Sequence, residues 1–408
     1  MPPVMAALEA PASAAAAPTP PTPSVAAVVL VTTIDHRLVD SLLGLADQTR
    51  RPECVRILDA TPAGDLAERL ARNVGLGDDL PSMTVERLAP GTDLRDALAS
   101  TAAELDTDAV WALTGHTCPE PDALRILSAA LFGTRHGALA GPKLIDWDRP
   151  GRLQRFGIQT TRTGRLRLRP RAGEPDQQQY DDRLDALAVP TEGALVRRES
   201  LIDLGGFDRA FTGLAADLDL GWRAQRSGRR VVLAPGARVR IGERFAHPTT
   251  VADRRAARRV ALTRCPIVLA PFLTLWVLLG SLATGLLLLL LKRPRGAARE
   301  FADLAVVADP LRGIPARWRA RSQRKAGRHS LLGLFVPLGT VVRQSADRLH
   351  DLIVPSRQAT GDPAADTAAG ADPDTEDAMG GPAEHAQAVR NPGSIGLRLR
   401  RWLRGRAG

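Results

Sequence analysis

The chain has 408 residues, enough for one large α/β domain with appendages, because single domains stop growing near roughly 250 residues. Its 55 Lys and Arg against 45 Asp and Glu leave a net charge of +10, which suits phosphates, lipid headgroups or nucleic acid without choosing among them. Cys54, Cys118 and Cys265 lie far apart with no C-x-x-C pair, which argues against a disulfide framework and a thiolate zinc site and fits a reducing compartment.

Residues 1–24 are almost entirely Ala and Pro, interrupted by Glu9, with neither a basic start nor an unbroken apolar core. They read as a disordered lead rather than a signal peptide. Over 25–264, short β-branched or apolar runs alternate with longer helical stretches, the pattern of βαβ units around a largely parallel sheet. Strands are expected at 25–31, 55–58, 109–113 and 138–144, and a first helix at 38–48. Within the next segment, 265–292, the run 266–291 carries no charged side chain. It exceeds the roughly 20 residues with which a helix crosses a bilayer. A transmembrane segment is expected, or a re-entrant one turning near Gly280 or Gly285. Arg254, Arg255, Arg258, Arg259 and Arg264 precede the run, and Lys292, Arg293, Arg295 and Arg299 follow it, so charge bias sets no orientation. Residues 293–354 read as a basic helical region whose apolar run 331–342 is too short to span. Residues 355–408 read as a disordered acidic linker ending in a basic tail, where Ile395, Leu399, Trp402 and Leu403 share one helical face among Arg398, Arg400, Arg401 and Arg404. That tail suits anionic lipid, and a solvated basic tail explains it equally well.

Five segments follow in order: VAAVVLVTTIDHRLVDSLLGLADQTRRPECVRILDAT, AVWALTGHTCPEPDAL, ALAGPKLIDW, TEGALVRRESLIDLGGFDRAF and DLDLGWRAQRSGRRVVLAPGARV. Together they resemble actinobacterial family-two glycosyltransferases. The most specific stretch is 193–239, where a small-residue strand leads to L-V-R-R, G-G-F-D, D-x-D-x-G-W-R and S-G-R-R-V. The resemblance implies a GT-A-type, Rossmann-like α/β fold with a mixed, largely parallel sheet, followed here by the membrane-associated helical segment and the disordered tail. It also implies a nucleotide-sugar donor at the carboxyl ends of the parallel strands, where open sheets place their ligand crevice.

Asp59 closes the second strand, where a carboxylate can accept hydrogen bonds from the donor's base or ribose; a turn Asp capping the helix after Thr61-Pro62 is the alternative. Asp217 matches the family's base position, since inverting sugar transfer needs a carboxylate to take the acceptor hydroxyl's proton. Asp219 is a donor-side candidate, although both acids also suit the start of a helix. Arg223, one turn beyond, reads as the partner of Asp219 rather than a diphosphate ligand. On the acceptor side stand Trp222, for which packing is the alternative, and Gln177 and Gln179 of a polar loop. Relatives tend to carry Gly between these glutamines, so Gln178 suggests a changed backbone. Gly205, Gly206 and Phe207 read as a turn and anchor on that side. The basic run 162–171 reads as an amphipathic edge hairpin.

In the family the central strand ends in a D-x-D-like or H-D-D element, whose carboxylate holds a divalent cation, Mg or Mn, against the two phosphates. Here the place reads L-T-G-H-T-C-P over 113–119, and where many relatives have a further His this chain has Ile241. His116 is a weak metal candidate and the expected cation is doubtful. Arg238, Arg240 and Arg244 lie near the missing position, so a metal-independent transferase using Arg238 and Arg240 is one expectation. A catalytically silent scaffold or accessory protein in envelope assembly is the other. The expected partners are a nucleotide sugar, a cell-envelope glycan or lipid-linked acceptor, and membrane lipids at the cytoplasmic membrane face. Nucleic acid is not expected, because no zinc, aromatic RNA-binding or helix-turn-helix pattern accompanies the charge.

Overall fold

Strand β1 (Val25–Val31) reads VAAVVLV and is buried at every position, as a parallel strand covered on both faces must be. The expected first strand forms over the same seven residues. In chain order α1 (His36–Ala46), β2 (Cys54–Asp59), α2 (Leu66–Arg72), β3 (Met83–Arg87), α3 (Leu94–Glu104), β4 (Ala109–Thr114), β5 (Thr117–Pro119), α4 (Ala123–Gly133) and β6 (Gly137–Asp146) follow. Short strands β7 (Arg152–Arg155), β8 (Gln159–Thr160), β9 (Leu166–Arg167) and β10 (Glu174–Pro175) come next, then β11 (Leu195–Arg197), α5 (Arg198–Asp203), α6 (Leu214–Arg226) and β12 (Arg230–Ile241). After them come α7 (Val251–Arg264), a 3-10 turn at Ile267–Leu269, α8 (Ala270–Leu290) and α9 (Pro294–Asp303). This computed structural model describes residues 22–72, 82–161, 163–167, 170–242, 251–265, 267–292 and 294–303. The Ala/Pro lead before residue 22, Arg162, Arg244, the apolar run 331–342, and the acidic linker with its basic tail lie outside them.

The main sheet runs β10-β7-β6-β11-β4-β1-β2-β3, with β12 pairing β6 and β5. Strands β1, β2, β3 and β4 are parallel. Strand β11 runs antiparallel between β4 and β6, so β6 and its parallel neighbour β12 share the direction of the first four. Their carboxyl ends, Val31, Asp59, Arg87, Thr114, Asp146 and Ile241, therefore lie along one border. One apolar layer packs α1 and α4 on the sheet, and a second packs α3 and α5 on its other face. Helix α1 starts two residues earlier than expected because Asp35 caps it, its Oδ1 accepting from the N–H groups of Arg37 at 3.0 Å and Leu38 at 3.2 Å.

Three expectations change. Of the 162–171 run, the described part does not edge the main sheet: β9 pairs with β8 in a separate two-stranded hairpin. Its Gly164, at φ +76°, lies so close to α7 that a Cβ there would be 2.6 Å from the Arg258 Cα. The loop holding Gln178 keeps the backbone glycine would favour, since Gln178 itself sits at φ +62°, at a cost of about 1–2 kcal/mol. Helix α8 runs unbroken through Gly280 and Gly285, so no re-entrant turn forms there. It is the one described helix long and apolar enough to cross a membrane.

Helix α6 is buried along nearly its whole length, and it approaches the chain at 187–188 through Gly221. A Cβ at that position would lie 2.5 Å from the Leu187 carbonyl oxygen and from the Ala188 Cβ. Gly221→Ala gains about 1 kcal/mol of helix propensity, but the overpacking costs about 1–3 kcal/mol. The variant is expected to unfold at lower denaturant concentration than the parent in chemical denaturation followed by circular dichroism.

Candidate functional site

At the head of α6, Asp217 is 2 % exposed, in the first turn of the helix. Arg95, in the first turn of α3, donates to it through both arms of its guanidinium, Nε to Oδ1 at 2.7 Å and Nη2 to Oδ2 at 2.7 Å. Thr191 Oγ1 donates to Oδ1 at 2.5 Å, and Glu192 Oε1 lies 3.2 Å from Arg95 Nη2. Thr191 and Glu192 precede the antiparallel β11, and α3 follows β3, so all these groups meet at the border of strand ends. Burial pushes the Asp217 carboxyl above the ordinary carboxylate range against the pull of Arg95, and Glu192 adds to the rise. Arg95 stays charged: its own burial opposes this, but Asp217 and Glu192 outweigh it and push its pKa further up.

Beside this cluster lies a cavity of about 200 Å³ between the start of α3, the loop after α5 and the start of α6. Asp93, Arg95 and Asp96 line one side, Phe207 and Phe211 another, and Ala216, the residue before Asp217, a third.

Asp219 is separated from the strand-end crevice although it stands two residues from Asp217. It has no exposed surface, and both its oxygens are taken: Oδ2 by Arg223 Nε at 2.7 Å and Oδ1 by Arg264 Nε at 2.5 Å. Arg223 also donates to the carbonyl oxygens of Leu204 at 2.6 Å and Gly206 at 2.7 Å, and Arg264 reaches Asp208 at 3.1 Å. The G-G-F-D and D-x-D-x-G-W-R motifs thus form one buried ionic joint. Arg223 makes the structural pair its spacing suggests. Arg264 is a core residue rather than a cation flanking the apolar run. Trp222 is a correction: it is 4 % exposed, packed among Ile158, Leu187, Phe211 and Val260, and presents no open face to an acceptor.

Asp59 is 2 % exposed and turned into its own loop. Its Oδ1 accepts from the N–H of Thr61 at 2.9 Å and from the Thr61 hydroxyl at 2.6 Å, and its Oδ2 from the N–H of Leu66 at 3.3 Å. Arg87 Nη1 adds an ion pair at 3.3 Å. This is the helix-capping arrangement. On the opposite flank, Gln177 and Gln179 are exposed. The Gln179 side chain closes its own loop, bonding Glu174, the Pro175 carbonyl and the Gln177 N–H. Buried Lys143 tethers that loop through Asp176, at 3.0 Å, and Asp181.

The place of the expected cation is the turn after β4. His116 is buried there, its Nε2 2.9 Å from the Thr33 hydroxyl and its Nδ1 3.7 Å from Asp35 Oδ2. Burial pushes the neighbouring Cys118 thiol up to about 11, against the pull of Arg240, so it is no thiolate ligand. Among the described residues no three His, Cys, Asp or Glu side chains converge on one point. Mg is held by one or two carboxylates together with the phosphates of its substrate, and at this turn His116 has one carboxylate beside it, that of Asp35. Cationic side chains do gather nearby. Arg37 lies 5.6 Å over the Trp147 ring, 3.9 Å from Asp148, and against Gly242, whose N–H donates to the His116 carbonyl. Arg240 pairs with Cys118 across the β5–β12 ladder. The Nε atoms of Arg37 and Arg240 are buried without hydrogen-bond partners. Arg238 is more committed, donating to the Pro150 carbonyl at 2.8 Å near Glu120 and Asp176.

Sequence reasoning passed over Arg95, Thr191, Glu192 and Arg37. Arg95 left a signal: it shares with Leu98 and Ala102 the buried face of α3, where an arginine requires a partner.

Residues 67–261 match the family described as Glycosyltransferase like family 2. No curated protein matches the chain. Among solved structures, GalNAc-T7 with UDP, GalNAc and Mn2+ aligns at 14 % identity and a TM-score of 0.46 over 59 % of this chain and 48 % of that one, so this chain spans about half its length. S. aureus TarS 1–349 with UDP aligns at 11 % and 0.41, over 59 % and 64 % of the two chains. The mannosyltransferase PcManGT from Pyrobaculum calidifontis with GDP-Man and Mn2+ aligns at 13 % and 0.42, over 82 % of each. The family match thus falls on residues 67–261, a little under half of the chain, and marks a similarity of that segment to the glycosyltransferase family-two type; the segment contains most of the mixed sheet and its carboxyl-end border.

Proposed function

We propose that the protein transfers a sugar, with inversion, from a nucleotide-sugar donor to a hydroxyl of a cell-envelope glycan or lipid-linked acceptor at the cytoplasmic face of a membrane. The observation that carries this reading is Asp217: a buried carboxylate at the crevice border, raised in pKa, beside a cavity with two aromatic walls and acidic rims. Its volume is below the roughly 300–1,000 Å³ of a drug-sized ligand site, so it suits a single sugar unit, its ring against Phe207 and Phe211 and its hydroxyls on Asp93 and Asp96. The acceptor O–H gives its proton to Asp217, the oxygen bonds to the anomeric carbon, and the bond from that carbon to the diphosphate oxygen breaks. The nucleoside diphosphate leaves with the electron pair. Arg95 and Thr191 aim the carboxylate, and one oxygen turns from them to take the proton. Arg37 and Arg240 meet the negative charge gathering on the diphosphate, work a guanidinium does through paired N–H bonds.

The second reading, a silent scaffold in envelope assembly, draws on the same bidentate grip: an Asp217 that never leaves Arg95 is a structural acid. Three measurements separate the two. Asp217→Asn is expected to abolish transfer while leaving donor affinity unchanged, and unaltered turnover would remove Asp217 from the mechanism.

In Arg95→Gln, Asp217 is left buried without its counter-ion, which costs about 3–5 kcal/mol. The Asp217 pKa, already raised, rises further without the guanidinium. A raised carboxylate contributes its stability below the unfolded pKa and loses it as pH climbs through the folded value, so the variant's deficit should widen with rising pH in denaturant titrations. Its acid limb in kcat/KM should move to higher pH than the parent's, which itself should lie above the usual value near 4.

Calorimetric titration of the detergent-solubilised protein with nucleoside diphosphates should give binding in EDTA that Mg or Mn does not improve. Arg37→Gln and Arg240→Gln should each weaken it about tenfold or more, as losing one charge-assisted contact does. Binding only with cation would overturn the arginine assignment. An absence of binding in every condition favours the scaffold.

A further inference from the structure

Helix α8 is tied to the rest of the protein along one stripe. Val277, Ser281 and Gly285 are its buried residues, four apart and therefore on one face. Gly285 meets Phe301 of α9 so closely that a Cβ would lie 2.5 Å from the ring. Arg258 of α7, buried, donates from Nη1 to the Ser281 hydroxyl at 2.9 Å, and its Nη2 lies 3.4 Å from Glu300 of α9. Glu300 in turn pairs at 2.9 Å with Arg165 of the β8–β9 hairpin. The outer faces of α8 are uncovered: Phe272, Trp276, Leu279, Leu282, Leu286 and Leu290 are each more than half exposed.

Length and composition alone suggest an upright span, because 21 residues make about 31 Å of helix against a hydrocarbon core of about 30 Å. The polar contacts forbid it. Ser281 is the twelfth of the 21 residues, at mid-length, so an upright α8 would carry Arg258, Glu300 and Arg165 to the centre of the bilayer. Helix α7, with Arg254, Arg255 and Arg259 beside Arg258, would enter with them. Each charged side chain at that depth costs roughly 2.5–3.5 kcal/mol even on insertion scales. Laid flat, the helix keeps its charged stripe toward the protein and sinks only its uncovered apolar faces.

We infer that α8 lies along the membrane surface rather than across it, its outer side chains in the acyl layer of a bilayer with anionic headgroups, and the domain seated on its inner stripe. The charge around the helix complements such a surface: Arg254, Arg255 and Arg259 stand on α7 and exposed Lys292 follows the helix end. The inference concerns the membrane-attached part of the proposed function and does not depend on sugar transfer.

The test is a depth profile on the full-length chain. With Cys54, Cys118 and Cys265 changed to Ser, the single substitutions Phe272→Cys, Leu279→Cys, Leu286→Cys and Leu290→Cys each carry a fluorophore. The protein is reconstituted into phosphatidylcholine–phosphatidylglycerol vesicles with nitroxide quenchers at either the headgroup or the mid-acyl position. All four sites are surface positions, so labelling leaves the core intact. A flat helix gives the same ratio of headgroup to acyl quenching at the four positions, corresponding to burial of about 5–10 Å. A ratio that passes through a deep extreme at 279 between shallow values at 272 and 290 means a spanning helix and overturns the inference. So does the absence of quenching by either lipid. Donor binding by the same labelled protein reports on the transferase reading separately.

Discussion

The joint at Asp219 sets the geometry on which the rest depends. A carboxylate with no exposed surface is expensive to bury. This one is retained because two guanidinium groups, from Arg223 and Arg264, close on its two oxygens. Through Arg223 the joint holds the turn at 204–206, through Arg264 it holds α7, and through its own backbone it fixes the rotation of α6. Buried ion pairs are weak contributors to net stability but severe penalties when broken. They therefore favour one arrangement of their elements over near alternatives. That arrangement puts Asp217, half a helical turn away, on the other side of α6, against Arg95 and the strand-end border.

The two acids of the D-x-D-x-G-W-R motif consequently do opposite work. Asp219 has both oxygens saturated by fixed cations and nothing to offer a ligand. Asp217 has a comparable grip from Arg95, yet it lies directly behind Arg95 and Ala216, which line a cavity, and shares its guanidinium with Glu192, a second carboxylate that weakens the compensation. Its own burial, helped by the competition of partly buried Glu192 for the same arginine, keeps the basicity of Asp217 up, the property proton removal calls for. On the opposite side of the crevice the balance is inverted. Arg37 stands against Gly242, next to the His116 turn, and Arg240 stands opposite Cys118, with Asp35 beside His116, so cationic groups contribute to this flank as carboxylates do to the other.

The sheet was legible because its signal is local. Strand β1 is an uninterrupted apolar run and β6 begins as one before Lys143 and Asp146. The short or polar strands β3, β5, β7 and β10 carry no such run, and neither they nor β12 were legible; Asp35, too, draws α1 back by two residues. Motif chemistry was legible in part. The spacing of Asp219 and Arg223 is a one-turn helical pair and forms as one, whereas the spacing of Asp217 says nothing of its partner, which lies 122 residues away. Arg264 looked like a charge flanking an apolar run because sequence shows composition beside the run, not which side of α7 faces the core. Trp222 was ambiguous for a similar reason: its sequence suits packing as well as a sugar, and the buried indole fills the gap between α6 and α7. Gln178 takes the left-handed conformation in a loop that buried Lys143 ties through Asp176 and Asp181, a backbone that residue type alone does not disclose.

Helix α7 connects these conclusions mechanically. Its last residue, Arg264, is locked into α6 through Asp219, and six residues earlier Arg258 is locked into α8 through Ser281. Both contacts are buried and charge-assisted, so α6, α7 and α8 have little freedom to rotate independently. If the outer face of α8 rests in lipid, the direction of the cavity beside Asp217 is fixed relative to that surface, without any hinge between them. An enzyme acting on an acceptor held in the membrane gains from this arrangement, because orientation is settled before the substrate arrives and need not be recovered from binding energy. On that membrane-bound reading the rigid linkage through α7 serves an acceptor confined to the membrane plane, whereas a water-soluble acceptor would draw no such advantage.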